Sequence, residues 1–170
     1  KYILAIKKKH VFNPAALAVA LTALLFGQYA SWWVGTAPMA VLVLSAGFLV
    51  VRKIKRWDLV LSFFGVAAIM IIGNAFLRGQ DIVFIAKALV IDSPVMFFAF
   101  IMLTEPATTP PTKNLQRLYG ILTGILYAPF VNIFGFYFSP ELALLAGNIF
   151  SYIVSPKEKL ILTLKEKINI

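Results

Sequence analysis

The feature that most constrains this chain is a series of apolar runs, each close to the length that crosses a lipid bilayer. Six such stretches, separated by charged or turn-forming residues, cover residues 14–33, 37–51, 58–77, 82–104, 118–138 and 141–154. A helix of about 20 apolar residues spans the hydrocarbon core of a bilayer. With 61% hydrophobic and 14% charged residues, a chain of 170 residues has too little interior to bury these runs as a soluble domain. We therefore predict an all-α, polytopic transmembrane helix bundle with six spans, embedded in the lipid bilayer.

The distribution of positive charge predicts the orientation of the bundle. When the six stretches cross the membrane in alternating directions, 14 of the 16 basic residues lie on one face of the membrane. Arg78 and Lys87 lie toward the other face. Loops rich in lysine and arginine stay on the cytoplasmic side. We expect a multi-pass protein of the inner (plasma) membrane with both termini cytoplasmic. Because this rule accounts for the net charge of +9, no nucleic-acid partner is expected.

Residue counts exclude several kinds of redox and metal chemistry. The chain has no cysteine, so it forms no disulfide, thiolate nucleophile or cysteine-held iron–sulfur cluster. Its single histidine supplies neither two axial ligands to a haem nor a multi-histidine metal site. We identify no catalytic and no metal-ligating residue. If electrons pass through this chain by itself, a noncovalent flavin or quinone is the remaining carrier.

The first polar motif opens the first stretch with the sequence HVFNP, from His10 to Pro14. Asn13 is a favoured N-cap residue and Pro14 suits the first turn of a helix, so a helix start explains both of them. His10 and Phe12 are not explained by capping. They are either residues of the membrane interface or part of a cofactor site at the mouth of this helix.

The second motif interrupts the fourth stretch at Asp92, Ser93 and Pro94. Proline removes a backbone donor inside a helix, and Asp92 or Ser93 can cap a new helix that begins there. The flanking pieces, residues 82–91 and 94–104, each cover about half a bilayer at about 1.5 Å per residue. This span is therefore expected to be broken at mid-membrane, where the end of a half-helix could face a ligand. An ordinary proline kink, with Asp92 paired or facing water, is the alternative.

The third motif follows the fourth stretch and contains Thr104, Glu105 and Thr108. Glu105 lies at the C-terminal end of a predicted helix, where the helix dipole disfavours a carboxylate, so capping does not explain it. A solvated cytoplasmic loop is the alternative. The sequences NPAA from Asn13 and EPAT from Glu105 also look like two copies of one junction, and duplicated membrane carriers bind ligands at the interface of their repeats.

HVFNPAA, together with MLTEPATTPPTKNLQRLYGILTGIL and LALLAGNIFSYIVSP, resembles the RnfD/NqrB family. Its members are flavin-carrying membrane subunits of the Rnf complex and of the sodium-translocating NADH:quinone reductase. The resemblance covers a transmembrane domain over residues 1–156, as the C-terminal part of the family's longer bundle. It implies a noncovalent riboflavin or FMN near His10, Phe12, Asn13 and Pro14. Thr104, Glu105 and Thr108 are second-tier candidates for the same site, beside Asp92 and Ser93 at the break.

One family feature has no counterpart in this chain. Relatives attach FMN covalently to the last threonine of an Asp-x-x-Ser-Gly-Ala-Thr type motif in a long external segment. Between the first two stretches the chain has only GQYASWWVGTAP, in which Thr36 has different neighbours. Covalent FMN is therefore not expected, and the implied ion transport of the family stays open for this chain.

The last residues, 157–170, contain KLILTLKEKINI, which looks like the first strand of a ferredoxin-NADP reductase-type domain. We read this segment as the start of a cytoplasmic domain or as a linker to one. The leading hypothesis is a membrane electron-transfer module that accepts electrons from a cytoplasmic NAD(P)H-oxidising flavoprotein domain or subunit, as the membrane part of an oxidoreductase. The alternatives are a small-solute transporter or channel, and a passive membrane anchor.

Overall fold

The computed structural model describes residues 5–6, 9–92, 94–133 and 136–155, and helices form most of this part of the chain. The α-helices are α1 (Pro14–Phe26), α2 (Ala37–Ile54), α3 (Trp57–Leu77), α4 (Ile82–Ile91), α5 (Val95–Phe97), α6 (Lys113–Tyr127) and α7 (Pro140–Val154). A 3₁₀ turn covers Trp33–Gly35, and a π-helix covers Phe98–Met102 directly after α5. Two antiparallel pairs of two-residue strands complete the elements: β1 (Ala5–Ile6) with β2 (Lys9–His10), and β3 (Asn132–Ile133) with β4 (Phe136–Tyr137).

The described helices are those of a membrane-embedded protein. Two of them, α2 and α3, are long and apolar enough to cross a membrane, and the bent pair formed by α4 and the α5–π segment makes a third if it counts as one span. The helices α1 and α7 are apolar but shorter. The all-helical membrane character is thus confirmed, while the count of six spans stays a prediction.

The start of α1 agrees with the predicted helix cap. The Asn13 side-chain oxygen accepts hydrogen bonds from the backbone N–H groups of Ala15 and Ala16, at 3.0 and 3.1 Å, and Pro14 occupies the first helical turn. The helix ends at Gly27, whose φ of 64° is left-handed and favours glycine. Consequently α1 has 13 residues and stops seven residues before the predicted end of its stretch at Trp33.

The fourth stretch is broken where the sequence predicts it. Helix α4 ends at Ile91, α5 begins at Val95, and the two helical parts are bent by 49° relative to each other. Asp92 lies exposed at the break, and Ser93 lies outside the described residues. The second part is not a regular α-helix, because the Leu103 N–H donates to the carbonyl of Phe98 five residues back.

The fifth stretch differs most from its predicted bounds of residues 118–138. Helix α6 begins at Lys113, because the Thr112 hydroxyl accepts the N–H of Leu115 and caps the helix. It ends before Pro129, since a residue that precedes proline, here Ala128, is driven out of helical geometry and has ψ near 124°. The β3–β4 pair then occupies residues that the apolar pattern assigned to the helix.

The most extensive helix pair is α3 with α6, and two glycines allow it to pack closely. A Cβ atom on Gly120 would lie 2.6 Å from the Leu59 carbonyl oxygen, and one on Gly124 would lie 2.8 Å from the Phe63 carbonyl oxygen. Small residues four positions apart bring membrane helices into backbone contact in this way. Beside this contact the ring centroids of Phe63, Phe98 and Tyr127 lie 5.0 to 5.4 Å apart in the core.

The loop over residues 104–112 is held against the turn between α2 and α3. The guanidinium of Arg56 donates to the Pro110 carbonyl oxygen, and the buried Gln116 amide donates to the same oxygen at 3.3 Å. Burial lowers the pKa of the Arg56 guanidinium. The ordinary pKa of arginine lies so far above neutrality that the group stays charged. Both connections therefore lie at the same end of the bundle. Residues 157–170 lie outside the described residues, so the predicted cytoplasmic segment stays a prediction.

Candidate functional site

A cavity of about 650 Å³ borders the first turn of α1. Its walls come from α1, from the chain that follows α1, and from the α5–π segment. The lining residues are Asn13, Pro14, Ala15, Val19, Ala30, Ser31, Trp32, Phe97, Ile101, Met102 and Glu105. Apolar and aromatic side chains predominate, with a few polar groups, as is usual for small-molecule sites of this size.

The cavity brings together three residues from two separate motifs of the sequence. Asn13 and Pro14 line it from the start of α1, and Glu105 lines it from the end of the π-helical segment. The two junctions that resemble each other in sequence thus meet at one site. They differ in structure, because Pro14 begins a helix whereas Pro106 begins a turn over residues 106–108.

The other predicted site residues that the structure describes are not among the lining residues. His10 is half-buried in β2, and Phe12 packs against the hydrophobic core. The Thr104 hydroxyl donates to the Phe100 carbonyl oxygen at 2.7 Å, so that group is occupied by its own helix. Thr108 is buried, and Asp92 is exposed at the helix break. Ser93 lies outside the described residues.

Asn13 is the best-connected polar residue of the site. Besides capping α1, its side-chain N–H₂ group donates to the Met102 carbonyl oxygen at 3.4 Å, and its backbone N–H donates to the Asn148 side-chain oxygen at 2.8 Å. The Asn148 N–H₂ group in turn donates to the Tyr119 hydroxyl at 2.9 Å. This buried network, Asn13–Asn148–Tyr119, fixes the start of α1 against α6, α7 and the π-helix.

The Asn13 amide consequently has little capacity left for a ligand. Its oxygen accepts two hydrogen bonds and one of its two N–H groups is already used. These hydrogen bonds give Asn13 a structural role, in which it holds the wall of the cavity in place. A cofactor near Asn13 stays a prediction.

Glu105 supplies the ionisable group of the cavity. It is half-buried, and its carboxylate accepts a long hydrogen bond of 3.4 Å from the Thr108 hydroxyl. The Thr109 hydroxyl donates to the Glu105 carbonyl oxygen at 3.0 Å. The two threonines therefore hold the turn that presents Glu105 to the cavity, which gives Thr108 an indirect part in the site.

Two aromatic rings form part of the cavity wall. The centroids of Trp32 and Phe97 lie 6.2 Å apart and the ring planes are inclined by 52°. Such rings offer apolar faces on which a flat conjugated molecule packs. Phe97 directly precedes the π-helix, and Met102 ends it, so this irregular segment shapes the wall.

The lining fits a flavin or quinone ring in size and in chemistry. The volume falls within the range of sites for small cofactors. Trp32 and Phe97 supply the packing faces, while Ser31 and Glu105 supply hydroxyl and carboxylate groups at the rim. Among the described residues there is no group of three or more His, Cys, Asp or Glu residues that could hold a metal ion.

Sequence reasoning missed four residues of this region. Asn148 and Tyr119 are fully buried, and Trp32 and Phe97 form the aromatic wall. An amide such as Asn148 in an apolar helix was a usable signal, because polar groups inside a membrane need partners. Nothing in the local sequence of Trp32 indicates that the chain after α1 contributes to a cavity.

No curated protein and no solved structure significantly matches this chain. The family model described as the NQR2, RnfD, RnfE family matches residues 4–156, which is most of the chain and includes every residue of the cavity. The match agrees with the resemblance carried by the Asn-Pro and Glu-Pro junctions. The chain thus belongs to the NQR2, RnfD, RnfE family of membrane subunits of electron-transfer complexes.

Proposed function

We propose that this chain is an electron-transfer module that holds a noncovalent flavin or quinone in the cavity beside Asn13 and Glu105. The observation that carries the proposal is the meeting of both family junctions with an aromatic wall in one cavity of about 650 Å³. A bound flavin or quinone would supply the redox chemistry, which no side chain of this site offers.

In this proposal the protein binds and orients the carrier. Trp32 and Phe97 pack against its ring, and the π-helix sets the distance of this wall from α1. The Glu105 carboxylate, which lines the cavity, would be the proton donor or acceptor of this site. Asn13 acts indirectly, since its hydrogen bonds to Met102 and Asn148 keep two walls of the cavity together.

Electrons would enter from a cytoplasmic flavoprotein domain or subunit that oxidises NAD(P)H. The proposed orientation is supported by the positions of Arg56 and Pro110, whose contact joins two basic connections at one end of the bundle. This end would be cytoplasmic, with both termini on the same side. Residues 157–170 would lead toward the reductase.

The proposal is tested on the purified chain in detergent. We expect a flavin absorbance spectrum, or a quinone in the organic extract of the protein. The Phe97→Ala variant should lower cofactor occupancy by about threefold to tenfold at equal folded yield, since one ring contact is worth about 0.5–1.5 kcal/mol. Phe48→Ala is the matched control, because Phe48 packs on Trp57 and not at the cavity.

A colourless protein without extractable quinone would overturn the electron-transfer proposal, and so would an occupancy unchanged by Phe97→Ala. The broken fourth span and the cavities along α1 would then favour a small-solute transporter or channel. Solute uptake into vesicles that contain the chain distinguishes this alternative from a passive anchor, which would show neither property.

A further inference from the structure

A second cavity, of about 360 Å³, lies along α1 on the side of the α7 N-terminus. It shares three lining residues with the cavity beside Asn13, namely Val19 on α1 and Ala30 and Trp32 in the chain after α1. Most of its lining is aliphatic or aromatic. Tyr29 and Tyr137, both exposed, line the cavity together with Trp32.

One carboxylate side chain is among the residues that line this second cavity, and it is almost fully buried. Glu141 is 5% exposed and lies in the first turn of α7, which Ser139 caps by accepting the N–H of Leu142. Across the described residues the Glu141 carboxylate has neither a hydrogen bond nor an ion pair. Its electrostatic neighbour is the Tyr127 phenol, which carries no positive charge.

This arrangement leaves a negative group in an apolar setting without a positive partner. A cation stabilises a carboxylate in an apolar setting, because loss of its hydration is otherwise costly. The helix dipole of α7 offsets part of that cost but is a partial charge only. No lysine, arginine or histidine is among the described residues that line the cavity, so none of these lining side chains pairs with the carboxylate.

We propose that this cavity binds an amphiphilic organic cation, whose ammonium group pairs with Glu141 while its apolar body packs against Trp32 and α1. Aromatic rings favour ammonium groups through their electron-rich faces, and Tyr29, Trp32 and Tyr137 provide such rings here. The volume accommodates a small ring with a short alkyl chain. The proposed ion pair is formed by Glu141, which does not line the cofactor cavity, and it does not depend on electron transfer.

The test compares two probes that differ in charge, phenylbutylammonium and phenylbutanol. Binding to the purified full chain is measured by titration calorimetry in dodecyl maltoside, a detergent without a cationic group. We expect the ammonium probe to bind at least about tenfold more tightly than the alcohol, a difference of about 1.4 kcal/mol. Glu141→Gln should abolish this preference while leaving alcohol binding unchanged.

Asp81→Asn is the matched control. Asp81 is an exposed carboxylate that caps α4, and asparagine caps equally well, so this variant should retain the tenfold preference. Equal affinity of the two probes in the parent chain would overturn the proposal, as would a preference that survives Glu141→Gln. Alkali chloride that displaces the ammonium probe at a concentration below that of the probe would show that the site binds an inorganic cation. That result would overturn the proposal of an organic cation.

A second arm distinguishes a lipid from a free cation. Phosphatidylethanolamine, whose headgroup carries an ammonium, is added to the micelles before the titration. Competition with phenylbutylammonium identifies a lipid headgroup as a source of the cation. Unchanged binding identifies a free organic cation, and either result keeps the pairing with Glu141.

Discussion

Replacing Asn148 with leucine tests whether the buried polar network holds the site together. Asn148 is fully buried, accepts the Asn13 N–H at 2.8 Å and donates to the Tyr119 hydroxyl at 2.9 Å. Leucine has a similar volume and no polar atom, so Asn148→Leu removes both hydrogen bonds without a large cavity. The Asn13 N–H and the Tyr119 hydroxyl would then remain buried without these partners.

The expected loss of unfolding free energy follows from the number of bonds. Hydrogen bonds between helices in membranes are worth about 0.6 kcal/mol on average and about 1.7 kcal/mol at most. Two of them give about 1 to 3 kcal/mol for Asn148→Leu. Tyr119→Phe removes one bond, so its cost should be about 0.6–1.7 kcal/mol alone and close to zero in the Asn148→Leu background.

The assay is equilibrium unfolding of the purified chain by sodium dodecyl sulfate in mixed micelles, followed by tryptophan fluorescence. Asn114→Leu, an exposed site in the first turn of α6, is the matched control and should change stability by less than about 0.5 kcal/mol. Strictly additive effects of Asn148→Leu and Tyr119→Phe would show that the bond carries no energy. A loss below about 0.5 kcal/mol for Asn148→Leu would refute the role of the network.

Three other predictions follow from the fold. Gly120→Ala should destabilise the chain by at least about 1–3 kcal/mol in the same unfolding assay, whereas Gly73→Ala, which faces open space, should be neutral or stabilising. A cysteine at Lys53 should react with impermeant reagents only from the cytoplasm and one at Gln80 only from outside, and reversal of either result would contradict the orientation. Pro94→Ala should reduce the 49° bend, measured as a longer distance between spin labels on α4 and on the π-helix, and an unchanged distance would show that proline does not cause the break.

Local chemistry made some features predictable and left others out of reach. The cap at Asn13, the left-handed stop at Gly27 and the break near Pro94 depend on residues within one helical turn, and the first and last of these were predicted. Apolar content alone extended the fifth stretch past Pro129, because hydrophobicity does not distinguish a helix from the β3–β4 pair.

The tertiary features could not be read from the sequence for a different reason. The partner of Asn13 is Asn148, 135 residues away, and sequence spacing gives no information on such a pair. In the sequence, Glu141 only marks the start of the sixth apolar stretch. Its burial beside a cavity depends on α1 and on the chain after α1. The family resemblance predicts a cofactor near Asn13, which stays a prediction, and only the hydrogen bonds show that the Asn13 amide is already occupied.

The unequal lengths of the helices have a mechanical consequence for the surrounding lipid. Helices α1, α6 and α7, with 13, 15 and 15 residues, pack side by side and are about 20 to 23 Å long, whereas α2 and α3, with 18 and 21 residues, are about 27 to 32 Å long. Lipid next to the short helices must compress or tilt to match them, at fractions of a kcal/mol per Å. The hydrocarbon layer is therefore expected to be thinnest along α1, where both cavities lie. A charge that enters there would cross less hydrocarbon than a charge that enters elsewhere around the described bundle.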